Sequence, residues 1–244
     1  MIAPPSWRRA SRTRPLPERA GDVLALSCSP GWLVARFATE HSTASWAIVG
    51  GGLRTAWAVA WMQVREAELP PTVDARVLLG DRLAAAGLHG AVGLMTTRDL
   101  ASFVDATARH GELSARCIAT VGLGNALRAG DPPGRSIPGT INLLCRVSVA
   151  LSPEAQLEAL ALAAEARTLA VREAGVPSTR SGLPASGTGT DCIVIAAPRT
   201  DDAAGYAGKH TAIGHVIGAA VLEATRRGIE RNQRDHACAR EAVR

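Results

Sequence analysis

The chain has 244 residues, of which 47% are hydrophobic and 20% charged, and a net charge of +5. That composition supports a buried core and excludes a disordered or fibrous chain; with no apolar run near the roughly 18 residues of a membrane span, it also argues against a membrane-embedded protein. The positive balance comes from arginine, Lys209 being the single lysine, and gathers in WRRASRTRPLPER and RRGIERNQRDHACAREAVR near the two ends; no arginine–aromatic interleaving between them marks a nucleic-acid groove.

In chain order, residues 1–20 hold Pro4, Pro5, Pro15 and Pro17 among arginines and are expected to be extended or disordered. Arg8-Arg9 resembles an export signal, but polar RTRPLPERAGD follows where an apolar segment would be needed, so a cytoplasmic protein is expected. DVLALSC (22–28), WLVARFA (32–38) and SWAIVG (45–50) are strand-length runs separated by turn residues and predict consecutive antiparallel strands. Gly50-Gly51-Gly52 then punctuates the chain before TAWAVAWMQV. Helical spacing runs through VDARVLLGDRLAAAG (73–87) and TRDLASFVDATARH (97–110), with HGAVGLM as a strand between them. ELSARCIATVG (112–122) and GTINLLCRVSVAL (139–151) alternate as paired strands do. The longest helix is SPEAQLEALALAAEARTLAVREAG (152–175), with Ser152 as N-cap, Pro153 in the first turn and Gly175 at the end. The polar loop PSTRSGLPASGTGTD (177–191) leads into the strand CIVIAAP, and a last helix is expected from near His210 to about Arg231. Strands first and mixed elements later predict an α+β fold rather than an alternating βαβ one. A single domain with a mainly antiparallel sheet is expected over residues 21–231, with a polar tail over 232–244.

Five cysteines stand far apart with no CxxC spacing, which points to neither a zinc knuckle nor a disulfide framework. Cys117, Cys145 and Cys192 sit in apolar runs and read as core residues. Polar residues concentrate beside glycines in TVGLGNALRAGDPPG (120–134), ASGTGTD (185–191) and YAGKHT (206–211). The third is not a phosphate-binding loop, because Ala203 stands where its first glycine would be and His210 where its hydroxyl residue would be. The first lacks the dinucleotide pattern, since Leu127 follows Gly124 at the third position. Alternating glycine and hydroxyl residues in ASGTGTD would let amides and hydroxyls converge on an anion or a carbonyl oxygen; the plainer reading is a turn into a strand.

GLMTT (93–97), VGLGNALRAGD (121–131), PGTINLL (138–144), EARTLA (165–170), SGTGTD (186–191) and YAGKHTAIGHVIG (206–218) together resemble, in order and spacing, the adenosylcobinamide amidohydrolase family of corrinoid salvage. The resemblance covers roughly residues 20–230. It implies hydrolysis of the amide joining aminopropanol to the corrin ring, giving adenosylcobyric acid. It implies a small-molecule partner and no cofactor, the cobalt corrinoid entering as substrate. Neither nucleic acid nor membrane is an expected partner, and homo-oligomerisation is left open. One departure is His215, at a position where the family favours an acidic residue.

Such a reaction needs an attacking oxygen, a base, donors for the oxyanion and an acid for the leaving amine. His210 is the acid/base candidate: counted along the last helix it shares a face with Ile213, Ile217 and Val221, which would aim its imidazole inward at the positive helix end. Asp191 is its candidate orienting carboxylate, since the residues between strand CIVIAAP and His210 can span about 33 Å and return to the strand's start. Thr188 and Thr190 are candidates for nucleophile or oxyanion donor, with Gly187 and Gly189 giving the loop unusual backbone freedom. Asn125, Thr140 and Asn142 are candidates for the corrin's peripheral amides or for closing turns, and Lys209 for a charge near them. No metal is expected, because His210 and His215 would point about 140° apart on a helix. The alternatives are a corrinoid carrier without catalysis, and another amidase or acyltransferase with a threonine nucleophile, self-cleaved before Thr140.

Overall fold

The protein is described from a computed structural model covering residues 14–15, 24–134 and 137–242. Strand β1 (Arg14–Pro15) pairs antiparallel with β2 (Leu24–Ser29), which forms a hairpin with β3 (Trp32–Ser45). The rest of the segment expected to be extended or disordered lies outside the described residues. β3 is long because it serves two neighbourhoods. Its first half pairs with β2 and its second with a strand from the far end of the chain, while β4 (Gly52–Gln63) follows it along both halves. A register shift between Arg36 and His41 marks the changeover, where extra residues bend a strand and increase its twist.

Helix α1 (Ala75–Ala85), capped by Asp74, leads to β5 (Val92–Thr96), which lies parallel to β4. β6 (Val104–His110) and β7 (Leu113–Val121) form a hairpin, and β7 continues through the short β8 (Ala126–Leu127) to its other partner β9 (Ile141–Val147). Helix α2 (Pro153–Glu173) follows, with the Ser152 hydroxyl accepting the Ala155 N–H at 3.2 Å and Gly175 adopting positive φ after its last turn. The chain passes through β10 (Gly187–Thr188), paired with β8, into β11 (Cys192–Pro198), and ends in α3 (Ala212–Ala242). β11 is parallel to β9 and antiparallel to β3.

The main sheet runs β1-β2-β3-β11-β9-β7-β6, with β4 on β3 and β5 on β4. The α+β architecture with a mainly antiparallel sheet is therefore as expected, and its two parallel pairs each come from a strand–helix–strand crossover, as parallel pairing requires. Apolar faces of α2 and α3, including Ala159, Ala163, Ile217 and Val221, cover one side of β7, β9 and β11. On the other side Ile118, Leu144 and Val194 pack with Leu33, Val59 and Trp61 from β3 and β4. Cys117, Cys145 and Cys192 are buried, and burial pushes the Cys145 thiol up to about 12 and that of Cys192 up to about 11.

Three local expectations fail. Residues 97–110 are not a helix but a single 3₁₀ turn, Leu100–Ser102, followed by β6, in which Val104 and Ala106 face the core and every residue pairs with β7. The ladder decides the conformation, and it is a long-range partner that local spacing cannot reveal. Residues 46–51 form the turn between β3 and β4, and TAWAVAWMQ belongs to β4. Helix α3 continues past Arg231, where Asn232 is buried and Asp235 pairs with Arg98 at 2.5 Å.

Candidate active site

β9 and β11 begin side by side, and the residues that lead into them are stitched together. Thr140 donates its hydroxyl to the Thr190 carbonyl at 2.9 Å, Thr190 donates to Gly139 at 3.3 Å, and the Asn142 amide donates to Met95 at 2.7 Å. Asn125 accepts the Gly189 N–H at its backbone carbonyl. Asn125, Thr140 and Asn142 are buried and hold strand starts and loops together. These bonds are those of their second candidate role, closing turns, and none of the three side chains is in the lining of the cavity described below.

Asp191, the last residue before β11, is the hub. Its carboxylate accepts the Ile141 N–H at 3.0 Å, the Thr188 N–H at 2.8 Å and the Thr188 hydroxyl, and pairs with the Arg167 guanidinium from α2. The side chains of Arg167 and Asp191 are 12% and 7% exposed, so water screens this pair weakly. Burial pushes Arg167 down to about 10, which still leaves it cationic at neutral pH. Its buried Nε has no partner among the described residues. Beside these groups opens a cavity of about 290 Å³ lined by Leu127, Arg128, Ala129, Arg167, Ser186, Gly187, Thr188, Gly189 and Asp191. A hydroxyl bonded to a carboxylate, next to a buried cation in a small cavity, can supply an attacking oxygen, a proton acceptor and a counter-charge for an oxyanion.

The glycines of SGTGTD act differently from the expectation. Neither Gly187 nor Gly189 has positive φ. Gly187 is needed for room, because a Cβ there would collide with the Arg167 guanidinium and the Asp191 carboxylate. The loop amides do not form an open anion nest either: the N–H groups of Ser186, Thr188 and Gly189 are taken by Leu127, Asp191 and Asn125. Gly187→Ala is expected to lower stability by about 1–3 kcal/mol, as overpacking does, and denaturant unfolding of the variant beside the wild type measures it.

The YAGKHT run lies elsewhere on α2. Ala207 donates its N–H to Glu158 at 2.6 Å, and Lys209 pairs with Glu165 at 2.6 and 2.8 Å. Thr211 caps α3 by accepting the Gly214 N–H at 2.9 Å. His210 therefore precedes the helix instead of opening it, and it is exposed, not turned inward with Ile213, Ile217 and Val221. Neither Lys209 nor His210 lines the cavity, and Asp191 is held by Arg167 and Thr188 rather than by His210. Thr190 is exposed and also outside the lining. His215 is exposed, with its ring edge against His110. Among the described residues no group of three or more histidines, cysteines or carboxylates could hold a metal.

Arg167 is the site residue that the spacing of EARTLA does not single out. The signal available was a cation set among Ala163, Ala166 and Ala170 of an alanine-rich helix, where the small residues turn out to be buried. Trp46 is a second such residue: its indole donates to the Asp191 carbonyl at 2.6 Å.

A family model for adenosylcobinamide amidohydrolase matches residues 18–237, a span that contains Trp46, Arg167, the SGTGTD loop and the YAGKHT turn. The chain belongs to the adenosylcobinamide amidohydrolase family. A family relative from Halobacterium salinarum, an adenosylcobinamide amidohydrolase, is 32% identical over 163 residues, which is 62% of this chain and 64% of that protein. The chain thus matches somewhat less than two thirds of the relative's length. Among the described residues no helix is long and apolar enough to cross a membrane.

Proposed function

We propose that the protein hydrolyses the amide joining aminopropanol to the corrin ring of adenosylcobinamide, giving adenosylcobyric acid for corrinoid salvage. The observation that carries this reading is the Thr188–Asp191–Arg167 cluster in a small cavity, on motifs that fall within the family match. A cavity of about 290 Å³ is below the usual range for drug-sized ligands, so it admits one amide arm and leaves the macrocycle outside.

In the proposed mechanism the Thr188 hydroxyl attacks the amide carbon and passes its proton to Asp191. Arg167 offsets the charge that develops on the carbonyl oxygen. As the C–N bond breaks, Asp191 returns the proton to the departing amine, and the acyl group remains on Thr188 as an ester. Water then attacks the ester, gives a proton to Asp191, and the carboxylic acid leaves as Thr188 regains that proton. Every proton is accounted for within the pair, as microscopic reversibility requires of a group that serves as base and then as acid.

Incubation with adenosylcobinamide and assay for free aminopropanol test the reading. Release is expected; a corrinoid that binds and comes away intact would point instead to a carrier. His210→Ala is expected to lose no more than about tenfold in turnover, below the 10²–10⁴ that a general acid or base contributes. A larger loss, measured in the same assay, would bring the YAGKHT turn into the chemistry.

A further inference from the structure

The cavity accounts for the amide arm and leaves the rest of the substrate without a seat. In the segments that lead into β4, β9 and β11 the chain exposes large apolar side chains. Trp46 is 46% exposed, Ile48 38%, Leu53 50% and Ile137 40%. Trp46 and Ile48 lie in the turn between β3 and β4, and Leu53, the second residue of β4, stands opposite Ala44. Ile137 lies two residues before Gly139, whose carbonyl accepts the Thr190 hydroxyl. Strand pairing puts this turn beside the start of β11, because Ser45 opposes Val194. The patch and the cavity are joined physically, since the Trp46 indole N–H donates to the Asp191 carbonyl at 2.6 Å. An indole held by its rim while nearly half exposed is pre-organised for apolar contact, and exposed apolar groups on neighbouring segments are the composition of a contact surface.

We infer that Trp46, with Ile48, Leu53 and Ile137, is the landing surface for the corrin macrocycle, holding an apolar part of it outside the cavity while one arm reaches Thr188. The inference rests on the amidase reading for the choice of ligand. Its occupant is argued from size and continuity: a ring too large for the cavity stays outside it, and Trp46 is an exposed aromatic side chain bonded to a residue of the lining.

The test is the dissociation constant for adenosylcobinamide, by equilibrium dialysis of the coloured corrinoid, with KM alongside. Trp46→Ala is expected to raise both by about tenfold or more, the loss typical of a central aromatic contact, and Leu53→Ser by about threefold. Trp46→Phe keeps an aromatic face but loses the bond to Asp191, and is expected to recover most of the affinity. Melting temperatures show that each variant is folded. Unchanged dissociation constants in both Trp46→Ala and Leu53→Ser would overturn the inference, as would a Trp46→Phe variant as weak as Trp46→Ala. A dimer that Trp46→Ala dissolves would assign the patch to a second copy of the chain instead. Wild-type protein that binds adenosylcobinamide through these residues but releases no aminopropanol would sink the amidase reading and leave the landing surface standing. Wild-type protein that neither binds nor cleaves would sink both.

Discussion

Asp191→Asn is expected to cost both activity and stability, and the two losses should come apart in a double variant. Turnover should fall by about 10²–10⁴, the contribution of a group that takes and returns a proton. Asparagine keeps one acceptor oxygen but turns N–H donors toward the Thr188 N–H or the Arg167 guanidinium, and it leaves the Arg167 charge buried and unpaired. Removing one partner of a buried pair typically costs about 3–5 kcal/mol, which would appear as a lower denaturant midpoint. Adding Arg167→Gln to Asp191→Asn removes the orphaned charge and should restore much of the stability without restoring aminopropanol release. A double variant no more stable than Asp191→Asn alone would show that the ion pair contributes little to the fold.

Thr188→Val carries the second large effect. The substitution keeps the size of the side chain and the backbone N–H to Asp191 while removing the hydroxyl that donates to the carboxylate. Loss of a nucleophile should lower turnover by about 10² or more, whereas Thr188→Ser should retain a substantial rate. Thr190→Val is the control, because the Thr190 hydroxyl bonds to Gly139 outside the cavity; it should lose no more than about tenfold, the margin left below an acid/base effect. Aminopropanol release by the three variants, with intact-mass detection of an acyl adduct on quenched protein, reads the outcome. Equal rates for Thr188→Val and the wild type would move the attack to a water molecule.

Where local rules decided the structure, the sequence was enough to read it. Ser152, Pro153 and Gly175 bracket α2 because capping depends on neighbours within one turn. CIVIAAP is β11 from its first residue to its last, since a run buried on both faces has little else to become. Residues 97–110 misled because Leu100, Phe103 and Val104 have helical spacing, while the partner that makes β6 a strand lies in β7. At the site, Asp191 and Thr188 stood out as polar groups among glycines. The inward direction expected of His210 came from extending the helix two residues too far, past Thr211, which is the residue that caps it. Arg167 was hidden by the ordinariness of an arginine in a helix, and only burial against a carboxylate distinguishes it.

The hub at Asp191 also bears on how the protein comes into being. Its carboxylate meets the N–H of a residue 50 positions earlier, and its carbonyl meets an indole 145 positions earlier. Closing chain segments of that length is entropically costly and is completed only as non-local contacts accumulate. The turns of α2 and α3 can form from their own neighbours, so a spectroscopic signal of helix can return before any catalytic centre exists. Arg167, Thr188 and Asp191 all lie in the second half of the chain, but the groups that hold Asp191 from Ile141 and Trp46 reach it across these longer separations. Aminopropanol release during renaturation, followed beside the helix signal, is therefore expected to return after it.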